Sequence, residues 1–112
     1  MKKGETSEQI AVVDYCNLAG IPVIHIPNEG KRSVWYAYLL KRMGLKSGFP
    51  DLFVTRARGG YHGLFIEMKF GRGKTTDKQE EWLRLLSKEG YACTVCHSAD
   101  DAIKIIKFYN RL

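Results

Sequence analysis

The feature that most constrains the fold of this chain is a central segment that resembles two strands joined by a tight turn. Residues 51–55 and 63–69 have strand-like composition, and the connection between them contains adjacent glycines, the first of which is Gly59. Adjacent glycines adopt positive φ at little cost, so the connection predicts a β-hairpin. A turn centred on Gly59 places Asp51, eight residues before it, directly opposite Glu67, eight residues after it.

Three charged residues fall on one face of this predicted hairpin. Directly opposed residues, here Asp51 and Glu67, share a face with Cβ atoms about 5 Å apart. Lys69 shares that face because it lies two residues after Glu67. Two like charges at that separation destabilise a sheet unless a cation lies between them. Taken singly, Asp51 could cap a turn, Glu67 could be an exposed strand residue and Lys69 could be a solvated edge lysine. Taken together, the three residues predict a divalent metal site with a basic neighbour.

The size and charge of the chain narrow its class. Its 112 residues predict one domain, residues 1–112, with a single core. The net charge of +6 and the pI of about 9.3 favour a polyanionic partner, with nucleic acid ahead of a membrane surface. We expect a cytosolic protein, because no apolar run reaches membrane-spanning length and no signal-like segment follows the start. Three cysteines, an odd count, argue against a disulfide framework.

Capping signals and hydrophobic periodicity predict four helices and four strands. Their order is helix, strand, helix, two strands, helix, strand and helix, which is typical of an α/β layered fold with a mixed sheet. The first helix is expected to begin at a capping-box pattern, Thr6 to Gln9, and to end before Gly20. The predicted helices cover residues 7–19, 34–43, 77–89 and 99–109, and the predicted strands cover residues 21–26, 51–55, 63–69 and 91–96.

Two polar residues lie on helix faces that are otherwise apolar. Glu8 falls in the same arc as Val12, although a polar side of the helix was available. It is therefore predicted to point into the cleft of the hairpin acids; the alternative is that it complements the dipole of its own helix. Gln79 shares an inward stripe with Trp82, but as the third residue of a capping box it could bond only its own helix end. Both interpretations of Gln79 stay open.

Two motif matches are rejected on their context. Residues 73–75 are Gly-Lys-Thr, like the end of a phosphate-binding P-loop, but the pattern needs glycine where the chain has Met68, so no nucleotide cofactor is expected. Cys93, Cys96 and His97 have the spacing of a haem attachment site. They lie on a predicted buried strand that would put the two thiols on opposite faces, and a second cysteine pair for zinc is missing.

Basic and aromatic residues suggest two further surfaces. A charge run is commonly a solvated face, but here most of the cations flank loops or strand ends near the acids in sequence, which favours a positive rim for a phosphodiester backbone. The basic residues are Lys31, Arg32, Lys41, Arg42, Lys46, Arg56, Arg58, Arg72, Lys74 and Lys78, of which Lys31, Arg32, Arg56, Arg58, Arg72 and Lys74 are predicted to contact DNA. Trp35, Tyr36 and Tyr38 make the second helix aromatic on several sides, for core packing or for a subunit interface.

These residues resemble the motif of the PD-(D/E)xK nuclease superfamily, with Pro50-Asp51 followed by Glu67-Met68-Lys69. A longer pattern resembles the VRR-NUC family of that superfamily. It adds Glu8, the Gly48–Leu52 segment, and Gln79 followed by Trp82-Leu83. The resemblance implies a three-layer α/β/α sandwich with a restriction-endonuclease-like core and a Mg²⁺- or Mn²⁺-dependent DNA nuclease. Small stand-alone members of the family resemble homodimeric enzymes, often phage-encoded, that resolve branched DNA such as four-way (Holliday) junctions. The same is therefore expected of this chain, inside a bacterial host cell.

The resemblance also implies roles for individual residues. Asp51, Glu67 and the Met68 carbonyl would hold the ion, and Glu8 would complete its shell directly or through water. Lys69 would orient the attacking water or stabilise the charge of the transition state. Gln79 would position water or backbone.

Two other functions compete with the structure-selective endonuclease. One is a non-catalytic nucleic-acid-binding module on a nuclease-like fold, against which the intact set of two acids and a lysine argues. The other is a sequence-specific restriction-type nuclease, for which this short chain leaves little room to read bases.

Overall fold

The computed structural model describes residues 3–27 and 32–112, and in this part of the chain four helices and four strands follow in the predicted order. The helices are α1 (Lys3–Ala19), α2 (Val34–Arg42), α3 (Asp77–Lys88) and α4 (Ala99–Asn110), and the strands are β1 (Val23–His25), β2 (Leu52–Val54), β3 (Leu64–Met68) and β4 (Ala92–Cys96). None of the helices in the described ranges has the length and apolarity that a bilayer crossing requires.

The four strands form one mixed sheet in the order β1-β2-β3-β4. The β1–β2 and β2–β3 pairs are antiparallel, and the β3–β4 pair is parallel. A parallel pair needs a long crossover connection, and α3 supplies it here. The predicted α/β fold with a central mixed sheet is confirmed.

The hairpin has the predicted register. Leu52 pairs with Ile66 in the β2–β3 ladder, so one further step along the same ladder puts Asp51 opposite Glu67. Gly59 has a φ of 57° in the turn, a conformation that a residue without a Cβ adopts at little cost. Arg58 pairs with Tyr61 across the two glycines, so the turn is centred between Gly59 and Gly60 and not on Gly59 as predicted. One extra residue in the arm that follows β2 shifts the ladder to the predicted register, which decides the side chains that share a face.

One face of the sheet is aliphatic and is covered by α1 and α4. Alternate residues of β2 and β3 enter this core, as the period of two along a strand requires. The core consists of Val12 and Cys16 from α1, Ile21, Leu52, Val54, Leu64, Ile66, Met68 and Cys96 near or within the strands, and Ala99, Ala102, Ile106 and Tyr109 from α4.

The other face is aromatic and lies under α3. Phe53 and Phe65 stack across the hairpin with ring centroids 4.2 Å apart. Tyr91 meets Phe65 edge-on at 5.2 Å, and Phe49 contacts both Phe65 and Trp82 of α3. Helices on both faces of one sheet make the three-layer α/β/α sandwich that the sequence predicted.

The first helix begins earlier than predicted. It starts at Lys3, so the capping-box pattern from Thr6 to Gln9 lies inside the helix and not at its beginning. Glu5 in the first turn complements the helix dipole, which favours the earlier start. By contrast, Ser33 caps α2 as predicted, because its hydroxyl accepts from the Tyr36 N–H at 3.1 Å.

Candidate active site

Among the described residues, Asp51 and Glu67 are the buried acids. Their exposed fractions are 7% and 2%, and both lie at the end of the sheet where β2 begins and β3 ends. The Asp51 Oδ2 atom accepts a hydrogen bond from the Met68 backbone N–H at 2.8 Å. This bond fixes the Asp51 carboxylate across the hairpin from its own strand.

Lys69 adds a positive charge beside the acids. Its Nζ atom lies 3.9 Å from the Glu67 Oε1 atom, and its side chain is 20% exposed against 3% for that of Glu67. The ammonium group is therefore near enough to Glu67 to form an ion pair and open enough to meet a ligand from solvent. As the register predicted, one face of the hairpin carries Asp51, Glu67 and Lys69.

The loop before Asp51 is fixed on α3. Gly48 has a φ of +83°, and a Cβ there would lie 2.9 Å from the Lys78 Cβ atom and 3.0 Å from the Gln79 backbone nitrogen. The Trp82 Nε1–H donates to the Ser47 carbonyl at 3.1 Å. Only glycine combines this backbone conformation with so close an approach to the helix.

Aromatic packing completes the support of this loop. The Phe49 ring lies edge-on to Phe65 at 5.4 Å and to Trp82 at 5.1 Å, an arrangement that aromatic pairs favour. Pro50, between Phe49 and Asp51, is fully buried. Asp51 is therefore held by the hairpin on one side and by the loop and α3 on the other.

The donor set suits a hard divalent cation. Two buried carboxylates on one face repel each other, and Lys69 compensates one of the two charges. Among the described residues, no three side chains of the His, Cys, Asp or Glu type come together closely enough to hold an ion. Binding through two carboxylates, with carbonyl oxygens, water and substrate phosphate in the other positions, is the usual arrangement for Mg²⁺.

Glu8 contacts the start of α4. Its Oε1 atom accepts from the backbone N–H of Ala99 at 3.3 Å, so the carboxylate sits at the N-terminus of α4. A negative charge there complements the helix dipole. Because β4 runs parallel to β3, the start of α4 lies at the same end of the sheet as Glu67. The expectation that Glu8 shares a cleft with Asp51 and Glu67 therefore stays a prediction, and the contact that the structure shows is with a helix that begins 91 residues later.

Gln79 caps the start of its own helix, which is one of the two interpretations that the sequence left open. Its Oε1 atom accepts from the Thr76 backbone N–H at 2.8 Å, and the Thr76 hydroxyl accepts from the Gln79 backbone N–H at 3.3 Å. Both bonds of the capping box are therefore present at the start of α3. Gln79 also meets the site through its backbone, which lies against Gly48.

The two hairpin arginines do not line the acidic site. Arg56 donates to the Asn110 Oδ1 atom at 2.9 Å and to the Gly20 carbonyl at 3.0 Å, and Arg58 donates to the Asn110 carbonyl at 3.2 Å. Both follow β2, whereas Asp51 precedes it, so they lie at the opposite end of the strand. They bind the hairpin turn to the C-terminus of α4, which corrects their expected position beside the acids. That they contact DNA stays a prediction.

The other predicted DNA contacts have different positions. Arg72 and Lys74 are exposed in the loop that follows β3, at the same end of the sheet as Glu67. Arg32 is exposed just before α2. Lys31 lies outside the described residues.

Sequence reasoning missed a contact behind Asp51. The His25 Nδ1 atom lies 2.9 Å from Gln9 Nε2 and 3.2 Å from the Asp51 carbonyl oxygen. The same carbonyl accepts from the Ile26 N–H at 2.7 Å. The Nδ1 atom either accepts from the Gln9 amide or donates to the Asp51 carbonyl, according to the tautomer of His25. His25 thus lies against the Asp51 backbone, and a polar glutamine at a buried helix position, 8% exposed, was the available signal.

Two of the three cysteines, Cys16 and Cys96, belong to the aliphatic core, whereas Cys93 is half-buried. All three lie in the described ranges and are free thiols. Cys93 pairs with Phe65 and Cys96 with Met68, so the two thiols lie on opposite faces of β4. Burial, with a smaller effect from the Asp101 charge, raises the pKa of Cys96 to about 11. A thiol that stays protonated is a poor metal ligand.

A family model and a solved structure each match most of this chain. A family model described as "VRR-NUC domain" matches residues 23–100, which include the acid pair, Lys69 and the first turns of α3. A solved structure described as "VRR_NUC domain protein" is 34% identical, covers 100% of this chain and 92% of its own, and superposes with a TM-score of 0.83. No curated protein matches this chain.

Proposed function

This chain belongs to the VRR-NUC family, whose domain is nuclease-like, and we propose that it is a metal-dependent DNA endonuclease that hydrolyses phosphodiester bonds in branched DNA. The observation that carries the proposal is the pair of buried carboxylates of Asp51 and Glu67 on one face of a hairpin, with the Lys69 ammonium 3.9 Å from Glu67. A domain that only bound a polyanion would gain nothing from two buried acids.

Each residue of the site has a role in this proposal. Asp51, Glu67 and the Met68 carbonyl oxygen would hold Mg²⁺ or Mn²⁺. An ion bound there lowers the pKa of a water ligand and neutralises charge on the scissile phosphate. Lys69 orients the attacking water or stabilises the negative charge that develops on the phosphate.

Glu8 and Gln79 act less directly. Glu8, at the N-terminus of the helix that follows β4, would reach the ion through water. Gln79 would act by fixing the start of α3, against which Gly48 and hence Asp51 are positioned.

The DNA backbone would approach along the exposed loop that carries Arg72 and Lys74. This loop follows β3 directly, so its cations lie near the carboxylate that ends the strand. Cations around an acidic centre favour a phosphodiester backbone drawn over bound metal.

The preferred substrate and assembly are also part of the proposal. We propose a four-way junction as the substrate and a homodimer as the active form, because two sites on one substrate allow paired cuts in opposing strands. The protein would act in the cytoplasm of a bacterial host. Sedimentation at micromolar concentration tests the dimer, and a monomer over the whole concentration range would contradict paired cutting.

The experiment that tests the activity uses a panel of labelled DNA. Four-way junction, flap, splayed-arm and linear duplex substrates are incubated with Mg²⁺, with Mn²⁺ and with EDTA. Cleavage confined to the metal-containing reactions, with branched substrates preferred, is the expected result. Equal cleavage of all substrates would contradict branch selectivity.

A binding module without activity is the second candidate, supported by the net charge of +6. Thermal melting with each metal separates it from the enzyme without an activity assay. An ion held by Asp51 and Glu67 raises the Tm of the native protein but not that of Asp51→Asn. Equal shifts in both proteins, together with binding and no cleavage, would favour the module.

A further inference from the structure

The second helix exposes an apolar surface that the fold does not use. None of the nine residues of α2, all within the described part of the chain, is buried. Trp35 is 66% exposed and Val34 is 89% exposed. Contiguous exposed apolar surface commonly marks a site of interaction.

The exposed rings of α2 lie in a regular stripe. Trp35, Tyr38 and Arg42 are spaced three and four residues apart, so they share one side of the helix. The Trp35 and Tyr38 rings stack with centroids 5.8 Å apart and an interplanar angle of 29°. The Arg42 guanidinium lies 5.9 Å from the centre of the Tyr38 ring and donates to its hydroxyl at 3.0 Å. We call these three side chains the α2 stripe.

The charge around the α2 stripe identifies its partner as an anion. Residues 30–50 contain five lysines and arginines and no aspartate or glutamate, against a net charge of +6 for the whole chain. A two-fold contact between α2 helices of two copies would bring these like charges together, which disfavours a second copy as the occupant. Flat aromatic surfaces within a cationic segment are the combination that binds single-stranded nucleic acid.

We propose that the α2 stripe is a stacking platform for unpaired nucleobases, with the neighbouring cations holding the phosphates of the same strand. Every base presents a π-face, so the contact is independent of sequence and requires only that the base be unstacked from its neighbours. Its use at the branch point of a DNA substrate rests on the proposed function, whereas the binding of unpaired bases does not.

The test measures binding without cleavage. Fluorescein-labelled dT20 and a 20-base-pair duplex are titrated with protein in EDTA at one fixed salt concentration, and anisotropy gives Kd. Trp35→Ala with Tyr38→Ala is expected to weaken binding of dT20 by about 10-fold to 100-fold, the usual effect of losing stacked aromatic rings. Binding of the duplex should change by less than about 3-fold, because its bases are already stacked.

Two controls isolate the effect of the rings. Leu18→Ala removes an exposed apolar side chain from α1, away from the stripe, and should leave dT20 binding unchanged. Trp35→Phe keeps a ring and should restore most of the affinity that Trp35→Ala loses. Because all these side chains are exposed, the variants should melt within about 2 °C of the native protein.

Three results would overturn the proposal. They are unchanged dT20 binding in the double variant, equal losses on dT20 and duplex, and a change from dimer to monomer on sedimentation with dT20 binding intact, which would make a second copy the occupant. The proposed function fails separately. A protein that binds dT20 through the stripe but cleaves no DNA would retain this inference and lose the nuclease assignment.

Discussion

The two faces of the central sheet differ in what covers them and in what they hold. The aliphatic face is sealed by α1 and α4, and residues such as Leu52, Ile66 and Ile106 are fully buried there. The aromatic face is covered by α3, and at its end it holds Asp51 and Glu67. Stability and chemistry are therefore carried by opposite sides of the same two strands, β2 with three residues and β3 with five.

Strand β3 shows how closely the two tasks are interleaved. Ile66 and Met68 enter the aliphatic core, whereas Glu67 and Lys69 face the other side. Because side chains alternate along a strand, a slip of one residue would bury the charges in the core and expose the core residues. Single substitutions on each face can test whether one carries the stability and the other the chemistry.

The largest effect is expected at the acid pair. Asp51→Asn keeps an oxygen that can accept from the Met68 N–H but loses the charge that holds a metal. Cleavage should fall by about 10³-fold or more, while the Tm without metal changes by only a few degrees. Initial rates on the best substrate measure this, and retained cleavage in a folded variant would remove Asp51 from the mechanism.

The next effect belongs to the aliphatic face. Ile66→Ala should lower the free energy of unfolding by about 2–5 kcal/mol, because it leaves a cavity in a packed core. Ile24→Ala is the matched control, since Ile24 lies on β1 and is 49% exposed; it should cost less than about 1 kcal/mol. Urea unfolding measures both, and equal costs would contradict the packing of this face.

The contact between the site loop and α3 comes third. Gly48→Ala should destabilise the protein by about 2–3 kcal/mol, because the new methyl group meets the backbone of α3 at a positive φ. Gly20→Ala has a similar φ, +71°, but nothing lies within 4 Å of the added methyl, so about 1 kcal/mol is expected. The difference between the two variants measures the steric contact alone, and no difference would mean that α3 gives way.

The smallest effect concerns Glu8. Glu8→Gln keeps the acceptor for the Ala99 N–H but removes the charge at the N-terminus of α4, which should cost about 0.3–1 kcal/mol. Asp14→Asn, on the exposed side of the same helix, is the control. A fall in cleavage of about 10-fold is expected if Glu8 reaches the ion through water; a loss of stability alone would leave it only the role of a helix cap.

Rules that act within a short segment predicted the hairpin. They could not predict contacts between residues far apart in the sequence, which depend on how the helices and strands pack. The glycines marked the hairpin, and a turn centred on Gly59 gave the correct opposition of Asp51 and Glu67. The turn itself lies between Gly59 and Gly60, and an extra residue after β2, which the sequence did not reveal, restores that register. The partner of Glu8 lies 91 residues away, at the start of another helix. No pattern within α1 contains that information.

The positions of the arginines show a different limit. Arg56 is close to Asp51 in sequence, but five residues of extended chain span roughly 17 Å at about 3.3 Å per residue. Proximity in sequence therefore placed Arg56 beside the acids, whereas the strand carries it to the far end of the sheet. Gln79 was ambiguous for a third reason, because one side chain fitted both a cap and a site until the bonds to Thr76 decided it.

The tight approach of Gly48 to the first turn of α3 has a consequence for protein engineering. The loop before Asp51 rests directly on α3, so Asp51 cannot be transplanted with its hairpin alone. Such a graft would lose the helix surface that fixes the position of this loop. A portable form of this centre therefore needs at least the segment from Ser47 to Trp82, and a shorter graft would carry the acids without their alignment.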